Sequence, residues 1–166
     1  QEKMGNKAEK TNVTRLLDAK KIEYEFRLLY ENTDDAKSVL EIAELLGENP
    51  QKVFKTLVAV GKSGNHYVFM IPGGYELDLK KAAKATGEKS VEMIPQKDLL
   101  PLTGYVHGGC SPIGMKVAKQ FDTFIDESAE DFDRIFFSAG KIGRQVCMSL
   151  SELEKVIKIK TADIKK

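Results

Sequence analysis

Apolar side chains recur along this chain in three patterns, and each predicts a kind of element. Val13, Leu16 and Leu17 have helical spacing, which predicts a first helix over 12–21. Ile22, Tyr24, Phe26, Leu28 and Tyr30 alternate with polar or longer residues, the pattern of a half-buried strand. Val39, Ile42, Ala43 and Leu46 return to helical spacing behind Ser38-x-x-Glu41, a capping box, and Gly47 ends that helix. Asn49-Pro50 predicts a cap and a short helical turn. The next pattern is a run, Val53-Phe54-Lys55-Thr56-Leu57-Val58-Ala59-Val60, expected as a central strand buried on both faces.

A turn at Gly61-Lys62-Ser63-Gly64-Asn65 joins that strand to His66–Ile71 as a hairpin. Pro72-Gly73-Gly74 breaks the chain. Asp78 caps a helix that runs to Thr86 and stops at Gly87. A short strand is expected at Ser90–Ile94, and a short helix from Pro95 through Leu100. Thr123–Asp126 is a strand. Arg134–Ala139 and Arg144–Met148 form a second hairpin around Gly140-Lys141-Ile142-Gly143. Ser151-x-x-Glu154 starts a last helix with Leu153, Val156 and Ile157 on its apolar side. Strands and helices intermix without regular βαβ alternation, so the expected class is α+β with a mixed, curved sheet.

At 166 residues, 42% of them hydrophobic and 31% charged, the chain fits one globular domain with a sizeable core. Residues 1–10 are polar and without period, so a flexible N-terminal segment followed by a domain over 11–166 is expected. No apolar run reaches membrane-spanning length. Two cysteines, Cys110 and Cys147, and two histidines, His66 and His107, lack the spacing of a zinc site, so no metal or other cofactor is expected. A reducing cytoplasm is the default location. The net charge of +1 excludes a strongly basic nucleic-acid binder; an RNA substrate would need a local patch or a partner protein. Lysines gather at Lys80, Lys81, Lys84 and Lys89 and again near the C-terminus, and both groups read as solvated helix faces.

Two features carry candidate chemistry. Lys55 places a charge inside an apolar strand, which is costly unless it is paired or faces a cavity. Downstream, Gly108-Gly109-Cys110-Ser111-Pro112-Ile113-Gly114 can offer backbone N–H groups to an anion or oxyanion. Each also has a plain reading: a lysine at a strand start snorkels to the edge, and a glycine loop is a tight turn. Together they suggest a site that grips an anionic group and acts on a carbonyl. Cys110 with His107 three residues away offers a rival, a cysteine nucleophile with its base. His66, beside a turn, is expected to be exposed. Cys147 is expected in the core, and the carboxylates Asp126, Glu127, Asp131 and Asp133 as caps and solvated loop residues.

Five segments in order resemble the YbaK branch of the YbaK/ProX prolyl-tRNA-editing superfamily. They are Val53–Leu57, Leu77–Ala83, Gly108–Gly114, Ser138–Gly143 and Thr161–Ile164. The resemblance covers the chain from about Thr11 to Ile164. It implies a single domain with a barrel-like mixed sheet, no metal or other cofactor, and cleavage of the ester between cysteine and the 3′ end of mischarged Cys-tRNA(Pro), working alongside prolyl-tRNA synthetase. It also implies a reaction in which the substrate's own thiol attacks its carbonyl. Carried over residue by residue, the essential lysine falls on Lys55 and the loop glycines on Gly108 and Gly109. Tyr30, Thr56, Cys110, Ser111, Ser138 and Gln145 then fall around the substrate. Two positions depart from the pattern: Gln145 stands where many relatives place a carboxylate, and Ser38 lies near a phenylalanine of some relatives. Two alternatives stay open, an Ala-tRNA(Pro) deacylase and a non-catalytic module that binds tRNA or a synthetase.

Overall fold

A computed structural model describes residues 10–31, 35–117 and 120–166. The expected flexible segment lies outside the described residues except for Lys10. Thr11 caps the first helix, α1 (Asn12–Ala19), through a reciprocal pair with Thr14. Strand β1 (Glu25–Leu28) is shorter than the alternation predicts. Phe26 is buried, whereas Leu28 turns outward and is 42% exposed. The box at Ser38 forms as expected and starts α2 (Val39–Leu46), which Gly47 closes in the left-handed region. A 3₁₀ turn at Pro50–Lys52 leads into β2 (Phe54–Gly61), hairpinned to β3 (His66–Pro72). Asp78 caps α3 (Leu79–Thr86), and β4 (Val91–Met93) follows. A 3₁₀ turn, Gln96–Asp98, runs into α4 (Leu99–Thr103). After it come β5 (Asp122–Asp126), a 3₁₀ turn at Glu127–Asp131, and the hairpin of β6 (Ile135–Ser138) with β7 (Arg144–Met148).

The last helix, α5 (Leu150–Leu153), starts two residues earlier than expected, because Ser149 rather than Ser151 accepts the Glu152 amide. The segment Ser149-Leu150-Ser151-Glu152 carries the same spacing as the box two residues on. The Glu152 side chain instead takes Lys155 and the amide of Glu23. A final strand, β8 (Ile159–Ala162), was not anticipated.

The strands form two sheets. One is antiparallel, in the order β1-β7-β6; the other is mixed, in the order β4-β2-β3-β5-β8. β5 joins β3 in parallel, and β8 joins β5 in parallel. The expected mixed α+β domain is present, but no closed barrel is found among the described residues. Among the described residues a single parallel bridge, Val53 to Phe136, holds the start of β2 against β6 and links the sheets.

The core follows from this layering. Phe26, Phe54, Val58, Val68, Met70, Ile125, Phe137 and Val146 fill the space between the sheets with α1. Ala59, Phe69, Ile71, Ala82 and Phe124 pack α3 on the outer face of the larger sheet. Ile42, Ala43, Val53, Phe136 and Cys147 pack α2 on the smaller sheet. His66 departs from its expected exposure: it is half-buried and stacks on Phe121, with ring centroids 5.4 Å apart. Asp126 caps the following turn but is fully buried, because its carboxylate also accepts the amides of Ile164 and Lys165. Among the described residues no helix is long and apolar enough to cross a membrane.

Candidate functional site

The site begins where the sheets part. From the Val53–Phe136 bridge, β2 and β6 diverge, and β4 joins β2 only at Ala59–Gly61. Among the described residues no strand pairs with β2 between these points on that side. The Ile94 amide donates to the Val58 carbonyl at 3.3 Å. Alternation along the ladder therefore turns the N–H and C=O of Thr56 toward the same open edge. The strand expected to be buried on both faces is thus buried at Phe54, Val58 and Ala59 but half-buried from Lys55 to Leu57.

A cleft of about 460 Å³ lies along this edge. Residues 53–57 all line it. Five consecutive strand residues point alternately to two faces, so a cavity touching all of them follows the edge and not a face. The opposite wall is Ser138 at the end of β6 and Gln145, its register partner on β7. The start of α2 with Lys37 and Ser38, the turn at Gly74–Glu76, Leu99, and the loop residues His107, Gly108 and Cys110 complete it.

Lys55 has no hydrogen bond or ion pair among the described residues, so its ammonium is available to a ligand. Two buried polar atoms on the lining have no partner either: Thr56 Oγ1 and Gln145 Oε1. Gln145 is only 7% exposed. A buried acceptor left unmade costs about 1–3 kcal/mol, so both atoms point to a ligand group that completes them. Ser138 Oγ differs, for it accepts the Gly140 amide at 3.0 Å.

The glycine loop only partly matches its expected role. Gly108 sits at φ +88, and a Cβ there would lie 2.5 Å from that of Ala36, so only glycine lets the loop meet the wall before α2. Gly109 is outside the cleft, and its amide is spent on the Val106 carbonyl at 2.9 Å. Among the described residues the amides of Gly108 and Cys110 have no acceptor. Ser111 is fully buried, and its hydroxyl accepts the Ile113 amide. Tyr30 is also outside the lining: its hydroxyl accepts the Lys37 amide at 3.1 Å and braces the wall from behind. The cleft therefore gathers Lys55, Thr56, Gly108, Cys110, Ser138 and Gln145, and leaves out Tyr30, Gly109 and Ser111.

Cys110 is a poor nucleophile here. Burial pushes its thiol up to about 12, and no base hydrogen-bonds to it among the described residues. His107 lines the cleft but is exposed. Ser38, at the departure from the resemblance, serves as the helix cap at the rim, accepting the Glu41 amide at 3.2 Å. Tyr75 and Glu76 were missed in the sequence. The signal was the Pro72-Gly73-Gly74 break, where a Cβ on Gly73 would meet Val39 at 2.6 Å. Such close packing brings the turn against α2.

Residues 33–156 match the family described as the aminoacyl-tRNA editing domain. With that match, the sheet topology and the cleft, the chain belongs to this family, a class of enzymes that act on aminoacyl-tRNA. It is 48% identical over 141 residues to an Enterococcus faecalis protein named "Putative Cys-tRNA(Pro)/Cys-tRNA(Cys) deacylase EbsC", covering 83% of this chain and 82% of that one. It is 30% identical over 106 residues to the proline–tRNA ligase of Thermodesulfovibrio yellowstonii. That match covers 64% of this chain but spans only 18% of the ligase. A crystal structure described as "a putative trans-editing enzyme for prolyl tRNA synthetase" superposes with a TM-score of 0.80 at 23% identity, over 95% of this chain and 99% of that one, which shows a shared fold.

Proposed function

We propose that the chain is a trans-editing deacylase that removes cysteine from mischarged Cys-tRNA(Pro), using the cleft at the open edge of β2. The observation that carries this reading is a lining with an unpaired ammonium and two buried unpartnered polar atoms but no activated nucleophile. An ester substrate that brings its own nucleophile fits such a site. The cysteine sulfur attacks the ester carbonyl carbon, and the carbonyl electron pair moves onto oxygen. Collapse breaks the bond to the ribose oxygen, which takes the proton the thiol loses. Water then opens the cyclic thioester to free cysteine. Holding thiol and carbonyl together makes the attack intramolecular, which supplies much of the rate.

The amides of Gly108 and Cys110 are the candidate donors to the oxyanion, and Lys55 the candidate counter-charge. A well-placed donor contributes on the order of 3 kcal/mol in such sites. Thr56 and Gln145 are assigned to the aminoacyl group, whose ammonium is a donor that matches the free Gln145 oxygen. A chain so nearly neutral overall gains little general attraction for RNA. Prolyl-tRNA synthetase is the proposed partner that delivers the tRNA, in the cytoplasm where translation runs.

The test is deacylation of Cys-tRNA(Pro) with Ala-tRNA(Pro) beside it. Fast loss of cysteine with little loss of alanine is expected. Lys55→Ala is expected to lower the cysteine rate roughly 100-fold, with an unchanged circular dichroism spectrum and melting temperature. Loss of alanine in preference would reassign the enzyme to a water-dependent reaction. No hydrolysis of either, with synthetase present, would make the cleft a binding site alone.

A further inference from the structure

The catalytic cleft is one of two that meet at Lys55. The other, about 630 Å³, is lined by Lys55, Leu57, Glu76, Leu77, Asp78, Leu79, Lys80, Met93 and Lys166. Lys55, Leu57 and Glu76 belong to both, so the clefts are continuous around β2. We propose that this second cleft holds the unpaired cytidines that precede the terminal adenosine of the tRNA. The inference rests on the proposed function, because it requires the esterified adenosine in the first cleft.

Three observations carry it. First, the esterified nucleotide is the end of a single strand, and that strand must leave the first cleft. The only continuation lined by shared residues, among the cavities described, runs past Lys55. Second, Leu79 and Met93 are large apolar side chains left 40% and 41% exposed, with half-buried Leu57 between the clefts. Apolar side chains of this kind can pack on the face of an unstacked base, without the stacking an aromatic ring would add. Third, the charge balance favours a phosphate. The Asp78 carboxylate is taken by the amides of Lys80 and Lys81, and Glu76 lies 3.7 Å from Lys166. The ammonium groups of Lys55 and Lys80 have no partner among the described residues. Three lysines thus face two carboxylates across the lining, an excess of one positive charge, and Lys80 is the ammonium left to a phosphate while Lys55 serves the ester. Lys81, beside Lys80 in sequence, pairs instead with Asp163 at 3.0 Å, so one lysine of the cluster faces the cleft and its neighbour is structural.

The experiment compares wild type with Lys80→Ala/Met93→Ala on two substrates, Cys-tRNA(Pro) and the cysteinyl ester of adenosine alone. The variant is expected to raise KM for the tRNA about tenfold with kcat kept, and to leave the adenosine ester untouched. Equal losses on both substrates, or no loss on the tRNA, would overturn the proposal. Fluorescence anisotropy with a labelled CCA trinucleotide gives a second reading that needs no turnover. The variant should bind more weakly and with a shallower dependence on salt, by about one phosphate contact. Unchanged affinity and slope would overturn the cytidine site. Failure of wild type to hydrolyse either ester would overturn the proposed function alone, since the trinucleotide titration still decides the second cleft.

Discussion

At the scale of the residue, Gln145 shows how a site is held against its own stability. Its buried oxygen has no hydrogen-bond partner among the described residues. Gln145→Met removes the unmet acceptor while keeping most of the volume. It is expected to raise unfolding stability by about 1 kcal/mol in urea titration, and to raise KM for Cys-tRNA(Pro). Cys110 gives a second prediction. Burial places its folded pKa at about 12, above the 9.0 taken as its ordinary value. The unfolded chain therefore releases this proton at lower pH than the folded one, and stability is full below pH 9 and falls as pH rises toward 12. Denaturant midpoints measured from pH 8 to 11 should show this fall, and Cys110→Ala should make it shallower without removing it, since burial also raises Tyr105 and Cys147. The same variant should keep most turnover, and iodoacetamide at neutral pH should leave the enzyme active. Lys55 stood out in the sequence because charge in an apolar run is conspicuous, whereas Thr56 came only from the family resemblance; both line the cleft. Tyr30 and Ser111 were not separable from the lining, because position in sequence does not say which side of a wall a residue occupies.

At the scale of the element, local chemistry was legible and distant pairing was not. The box at Ser38, the cap at Asp78 and both hairpins are written within a few residues, and they form as read. β8 was missed because its partner, β5, lies more than 30 residues earlier and pairs in parallel, which leaves no turn to announce it. Asp126 anchors that region: burial pushes its carboxyl up, but hydrogen bonds from Ser128 and Ile164 and the charge of Lys165 outweigh this and hold it below the ordinary value. Its contribution is present at neutral pH and lost as the carboxyl protonates in acid. Asp126→Ala strands the amides of Ile164 and Lys165. It is expected to cost on the order of 3 kcal/mol in chemical denaturation, and hydrogen exchange should show amide protection lost first in β8.

At the scale of the whole molecule, the expected α+β class holds, and the difference lies in how the sheet closes. Two sheets joined by one bridge leave a wedge between β2 and β6, where a continuous barrel would leave none. The alternation of apolar residues reports which face of a strand is buried, but not where its edge goes unpaired. The same unpaired edge has a consequence for how copies of this protein behave toward one another. A strand with an unspent N–H and C=O is a template on which another chain can add a strand. Here Lys37, Ser38 and the loop at Gly108 stand over it, so the wall that encloses the cleft also shuts out a neighbouring backbone. A substitution that loosens this wall exposes a sticky edge as well as a weakened site, and self-association belongs beside lost turnover among its effects.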